Sequence, residues 1–307
     1  MDRFKLLREF TELLGAGSVR ADENMSPHCS FRAGGNTAFL LEPGNREELS
    51  SVIALCEEEG ADWFILGRGS NLLVSDEGYE GVMIRLSGEF AETRFEGETL
   101  RAGAAAALIR VAAEAADRGL TGLEFASGIP GSLGGALCMN AGAYGGEMAD
   151  VVYSAEVLFP GEGIRELSPE ELDFGYRHSI FKEKKAVALG AVIRLSYGDK
   201  EEIKRRMEEL KEKRLEKQPL EFPSAGSTFK RPEGDFAGRL IQEAGLKELS
   251  VGAAQVSGKH AGFIINRGGA TASDIYALIR KVREEVYGNS GIMLEPEIEL
   301  LGFTDEN

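Results

Sequence analysis

A chain of 307 residues, 43% hydrophobic and 28% charged, has the composition of an ordinary globular protein and the length for two or three domains. Its net charge of −16 argues against a nucleic-acid surface, which needs clustered cations. It leaves room for an anionic small molecule, because a few inward Lys and Arg side chains set the local field.

No apolar run reaches the ~18 residues of a membrane span. The opening Met1-Asp2-Arg3-Phe4-Lys5 lacks the apolar core of a signal peptide. Cys29, Cys56 and Cys138 are odd in number and widely spaced, and His28, His178 and His260 are scattered. Neither a disulfide framework nor a metal site is expected, and a reducing cytoplasm fits best.

Residues 3–15 read as a helix stopped by Gly15, with Phe4, Leu7, Phe10, Leu13 and Leu14 on one face. A strand at 37–43, a helix at 45–60 closed by Gly60, and short strands at 63–66 and 81–86 make a small βαββ unit. A second region begins with a strand at 99–102 and a helix at 108–118. The stretch 119–146 is rich in Gly, Ala and Ser, and 151–159 and 186–197 alternate like strands of a larger sheet. The charged segment 200–217 is an expected helix with i,i+4 pairs, ending before Pro219.

The last region has its own α+β grammar: a helix at 236–243, a strand at 262–266 and a helix at 272–287. Thr271 and Asp274 give that last helix a capping-box-like start, and Gly288 suits its C′ position. Residues 292–301 read as a closing strand. The expected division is a lead-in at 1–29, a domain at 30–200 with subdomains about 30–87 and 88–200, a linker helix at 201–218, and a C-terminal domain at 219–302.

Two glycine clusters carry the functional signal. In Gly67-Arg68-Gly69-Ser70-Asn71-Leu72 a strand runs into a Gly-x-Gly turn whose backbone N–H groups can cradle an anion. Taken alone it is better read as a tight turn, and it is not the Gly-x-Gly-x-x-Gly dinucleotide fingerprint. The second cluster runs from Gly128-Ile129-Pro130-Gly131-Ser132-Leu133-Gly134-Gly135 into Met139-Asn140-Ala141-Gly142-Ala143-Tyr144-Gly145-Gly146. So long a stretch without bulky charged side chains suits backbone wrapped on a long cofactor.

This pair of clusters resembles the FAD-binding domain of the vanillyl-alcohol oxidase and p-cresol methylhydroxylase superfamily, in which two α+β subdomains hold the flavin. The wording within them resembles one family, the UDP-N-acetylenolpyruvoylglucosamine reductases. So do Tyr176-Arg177-His178-Ser179, Gly226-Ser227-Thr228-Phe229 and Leu294-Glu295-Pro296-Glu297, in the family's order from about Ser30 to Leu301. The implied fold is α+β, a two-subdomain FAD-binding domain followed by a C-terminal α+β substrate-binding domain. The chain resembles the shorter form, without the extra substrate-covering loop.

By residue type alone, Arg177 is a surface ion-pair partner, Ser227 a turn serine and Glu297 an acid on a solvent-facing strand. The resemblance implies that they are the catalytic residues. Arg177 and Glu297 would stabilise an enol-like intermediate, and Ser227 would protonate it. It implies FAD contacts from Gly67, Gly69, Ser70, Asn71, Leu72, Gly128, Ile129, Pro130, Gly131, Ser132, Gly134, Gly135, Asn140 and Gly142. Substrate contacts would come from Tyr176, Lys217, Lys230 and His260.

FAD should be non-covalent, since neither cluster holds a histidine for linkage, and NADPH is the implied co-substrate. The partners would be NADPH and a UDP-linked enolpyruvyl ether, with no nucleic acid, membrane span or obligate protein partner. Two rival readings stay open: another FAD-dependent oxidase or dehydrogenase of the superfamily, and a non-catalytic nucleotide-sugar sensor.

Overall fold

The computed structural model describes residues 2–303; Met1, the first residue of the expected lead-in, lies outside them. The chain forms two compact units. The first holds the segments up to Ala21, Phe39–Arg68 and Gly81–Arg214. The second holds Asp22–Ala38, Gly69–Glu80 and the described chain from Leu215 on.

In the first unit the Arg3–Leu14 helix is capped by Asp2, whose carboxylate accepts from the N–H groups of Phe4 and Lys5, and it ends at Gly15 as expected. Its inner face differs from expectation. Leu6 and Phe10 are buried, whereas Phe4, Leu7 and Leu13 are exposed. The i,i+4 pair turns inward because Phe10 meets Phe39 edge-on at 5.4 Å.

A four-stranded sheet follows in the order Val19–Asn24, Asn36–Leu41, Tyr79–Ile84, Trp63–Ile65. The larger sheet is antiparallel and five-stranded: Gly163–Leu167, Val152–Phe159, Val187–Arg194, Thr99–Gly103, Thr93–Glu96.

The glycine-rich stretch is more ordered than its composition suggests. It contains a 3₁₀ turn at Glu124–Gly128, a helix at Leu133–Cys138 and a small hairpin of Gly142–Ala143 with Gly146–Glu147. The Leu133–Cys138 helix packs against the Val187–Arg194 strand. The Leu108–Asp117 helix packs on the 3₁₀ turn with an inward face of Leu108, Val111, Ala112, Ala115 and Ala116, mostly small residues that permit close approach. The Lys200–Lys217 helix has the expected bounds.

The second unit is built on the Ala272–Ser290 helix and a three-stranded antiparallel sheet of Ser250–Val251, Ala254–Val256 and Ile264–Asn266. Ile275, Leu278, Ile279 and Val282 of that helix join Phe31 and Leu73 in one apolar core. The helix opens with a true capping box, Thr271 Oγ1 accepting from Asp274 N–H at 3.0 Å and the Asp274 carboxylate from Thr271 N–H at 3.2 Å.

Its stop is later than expected. Gly288 lies inside the last turn, and Gly291, with φ 73°, takes the left-handed cap and donates to the Tyr287 carbonyl at 2.8 Å. The closing strand is also shorter than expected. Only Glu299–Leu301 is extended pairing, parallel to Leu72–Val74. Pro296 lacks the N–H that a continuous ladder needs. Among the described residues no helix is long and apolar enough to cross a membrane.

Candidate active site

In the first unit the two glycine clusters meet. A Cβ added to Gly67 would stand 2.9 Å from Ser132 Oγ, so only glycine lets these segments approach so closely. Ser132 caps the Leu133–Cys138 helix, its hydroxyl accepting from Gly135 N–H at 3.3 Å. The backbone N–H groups of Gly67 and Arg68 donate to no protein acceptor among the described residues. Free N–H groups beside a side-chain-free surface fit the diphosphate of a dinucleotide. Ile129, Gly131 and Gly134 are half-buried, and Pro130 and Gly135 are exposed.

Gly69, in the second unit, has a different reason to be glycine. It sits at φ 62° on the carbonyl of His28, which any Cβ would strike, and its own carbonyl accepts from Ser30 N–H at 2.9 Å. Leu72 is buried in its strand. Asn71 also has a structural task. Its Nδ2 donates to the Glu297 carbonyl at 3.0 Å, and its carbonyl accepts from Glu299 N–H at 2.9 Å.

Arg177 belongs to the first unit. It occupies a four-residue turn in which Gly175 and His178 exchange backbone hydrogen bonds of 3.1 and 3.2 Å. Arg177 has φ 53° and is half-buried, with its guanidinium carbon 5.2 Å from the Tyr176 ring centroid; Tyr176 is 51% exposed. His178 Nε2 lies 3.2 Å from Asp173 and 3.6 Å from Glu183. That trio, with a half-buried histidine and two exposed carboxylates, is the one grouping of three ligand-type side chains close enough for a cation among the described residues.

Ser227 and Glu297 belong to the second unit, where they lie on adjoining strands of chain. Thr228 N–H donates to the Gly262 carbonyl at 2.9 Å, and Thr228 Oγ1 accepts from Ile264 N–H at 3.1 Å. On the other side Glu297 N–H donates to the Thr228 carbonyl at 2.8 Å, and Lys230 N–H to the Glu295 carbonyl at 2.9 Å. Thr228 is fully buried, which leaves Ser227 half-exposed with its hydroxyl unpartnered among the described residues.

His260 is half-buried, edge-on to Phe263 at 4.9 Å. Its Nδ1 accepts from Gly262 N–H at 3.1 Å, and burial, helped by the Lys247 charge, holds its pKa below the ordinary histidine range. With Nδ1 accepting, the neutral imidazole carries its proton on Nε2. Lys230 pairs with Glu295 at 3.1 Å, and Lys217 is exposed at the end of its helix. Sequence reasoning missed the supporting role of Thr228; the available signal was a second hydroxyl beside Ser227.

The N–H groups without a protein acceptor beside the glycine clusters suit a dinucleotide-binding protein, and the family match to an FAD binding domain makes it a flavoprotein. Residues 37–168 match the FAD binding domain, and 218–301 match the C-terminal domain of UDP-N-acetylenolpyruvoylglucosamine reductase. The reductase of that name from Caldanaerobacter subterraneus subsp. tengcongensis is 50% identical over 97% of this chain and 98% of its own length. That of Clostridioides difficile is 46% identical over 94% and 95%. The crystal structure of the Thermus caldophilus reductase superposes with a TM-score of 0.81 at 40% identity, covering 92% of this chain and 99% of that one. The chain belongs to the UDP-N-acetylenolpyruvoylglucosamine reductase family.

Proposed function

We propose that this chain reduces UDP-N-acetylglucosamine enolpyruvate to UDP-N-acetylmuramate in peptidoglycan precursor synthesis, using NADPH through a non-covalent FAD. Family membership over nearly the whole chain supports the reaction and the cofactor. One observation supports the pairing of Ser227 with Glu297: the 2.8 Å bond from Glu297 N–H to the Thr228 carbonyl, which brings the two stretches of chain together.

FAD supplies the hydride chemistry between NADPH and C3 of the enolpyruvyl group. Arg177 offers a planar donor fork to the substrate carboxylate. Negative charge builds at C2 and in that carboxylate as the double bond is reduced; Arg177 would stabilise it where it develops, and Glu297 would act with Arg177 on the enol-like intermediate. The Ser227 hydroxyl, without a protein partner among the described residues, delivers the proton to C2. Tyr176, Lys217 and His260 are proposed substrate contacts; Lys230 would first have to leave Glu295.

The chain is assigned to the shorter form, because 236–301 has no space for the extra covering elements. The work is placed in the cytoplasm, where UDP-linked sugars and NADPH are held.

Anaerobic addition of NADPH should bleach the bound flavin, and the enolpyruvyl substrate should then restore its colour. Recovery with oxygen but not with substrate would favour an oxidase. Binding of UDP ligands without bleaching would favour a sensor.

A further inference from the structure

We propose that Asn140 and Ser179 are positioning residues for Arg177, two buried polar side chains that anchor the turn carrying it. The inference rests on the role given to Arg177 above and adds how its guanidinium is placed. Asn140 is 1% exposed, and both ends of its amide are engaged. Nδ2 donates to the Gly175 carbonyl at 3.2 Å, and Oδ1 accepts from Ala149 N–H at 2.9 Å. Only one orientation of the amide sets a donor on the carbonyl and an acceptor on the N–H, so the contacts fix it.

Ser179 is fully buried, and its hydroxyl donates to the Cys138 carbonyl at 2.7 Å. Cys138 ends the Leu133–Cys138 helix, where a carbonyl has no partner within the helix and needs one from outside.

The turn is therefore held on both sides of Arg177. Asn140 grips it at Gly175, two residues before, and Ser179 at two residues after. Both grips reach the same short segment, 138–140. Arg177 itself has φ 53° and Asn140 has φ 38°, conformations that L side chains rarely adopt. Such a backbone persists only where its surroundings over-determine it, so loss of an anchor lets the turn relax and moves the guanidinium. With both ends of its amide engaged, any contact of Asn140 with the cofactor falls to its backbone, which the alanine variant keeps.

The test uses the full-length, FAD-loaded protein as Asn140→Ala, Ser179→Ala and Arg177→Ala, and each anchor variant combined with Arg177→Ala. Calorimetry compares UDP-N-acetylmuramate, which carries the carboxylate, with UDP-N-acetylglucosamine, which lacks it. Each anchor variant should keep its FAD content and its bleaching by NADPH. It should weaken UDP-N-acetylmuramate binding and slow flavin recovery by substrate, by up to the ~10²-fold that a 1 Å misplacement can cause. UDP-N-acetylglucosamine binding should be unchanged. In the Arg177→Ala background the anchor substitutions should add nothing.

Equal weakening of both ligands, or full additivity with Arg177→Ala, overturns the inference. If Arg177→Ala alone leaves both ligands and flavin recovery unchanged, the reading of Arg177 falls, and the inference with it. Should Asn140→Ala fail to fold, Ser179→Ala decides the same question, since it removes one hydroxyl from the other side of the turn.

Discussion

Arg177 and the Ser227–Glu297 pair are held in place by opposite means. The Arg177 turn has one pair of backbone bonds, a left-handed arginine, and two buried side chains tying it to 138–140. Ser227 and Glu297 lie on a backbone ladder, in which main-chain bonds of 2.8 and 2.9 Å join Thr228 to Glu297 and Gly262. A ladder made of peptide groups survives most side-chain changes, whereas a turn tied by side chains does not. Distant substitutions should therefore disturb carboxylate recognition more readily than proton delivery.

The largest expected effect comes from the ladder's functional residue itself. Ser227→Ala should lower the rate at which substrate reoxidises the flavin by ~10²–10⁴-fold, the usual range for general acid catalysis. FAD content and bleaching by NADPH should stay near those of the parent in stopped-flow traces.

Next comes Arg177→Lys. Lysine keeps the charge but loses the fork, and the missing charge-assisted bond should slow substrate-driven reoxidation about 10–10²-fold. Equal slowing of the NADPH step would make Arg177 a structural residue instead.

Thr228→Val sharpens the comparison. It leaves the buried Ile264 N–H without its hydroxyl acceptor, which should cost about 1–3 kcal/mol in urea unfolding. Because the main-chain rungs remain, the rate of the folded protein should change by only a few-fold. A stable variant with collapsed activity would mean that the side chain, not the ladder, places Ser227.

The smallest effect concerns Asp76, in the second unit, whose carboxylate accepts from Ala272 N–H at 2.9 Å and Ser273 N–H at 2.7 Å. Burial works to raise its pKa, but hydrogen bonds from the Ser273 side chain and these N–H groups outweigh it and hold it below the ordinary range. A depressed folded pKa stabilises above the unfolded value near ~3.9, and the gain is lost as pH falls through the folded value. Asp76→Asn should lower the melting temperature at neutral pH, and the gap to the parent should close as pH drops below about 4. A gap that stays constant with pH would deny the carboxylate its part in holding the helix N-terminus.

Elements governed by local pattern were legible in the sequence. The charged Lys200–Lys217 helix and the capping box at Thr271 and Asp274 stand where their residues place them. What was not legible depended on distant partners. Leu72–Val74 reads as the tail of a glycine turn because its strand partner, Glu299–Leu301, lies more than 220 residues away. The inward face of the first helix was set by Phe39, not by the helix's own periodicity. For the site, motif resemblance singled out Arg177, Ser227 and Glu297. It did not reveal that Asn71 braces the Glu297 carbonyl and Asn140 the Arg177 turn, because residue type does not say where an amide is directed.

The central claim, that Ser227 gives C2 its proton after hydride reaches C3, is tested most directly with Ser227→Ala in D₂O. The FAD-loaded variant is reduced by NADPH under anaerobic conditions and mixed with the enolpyruvyl substrate, which is then recovered and examined by NMR. Without its proton donor the reduced substrate should revert, and because N5–H of a reduced flavin would exchange with D₂O between transfers, the recovered enolpyruvyl ether should carry deuterium at C3 while little UDP-N-acetylmuramate forms. Product formation at the parent's rate, with no exchange at C3, would remove Ser227 from the chemistry.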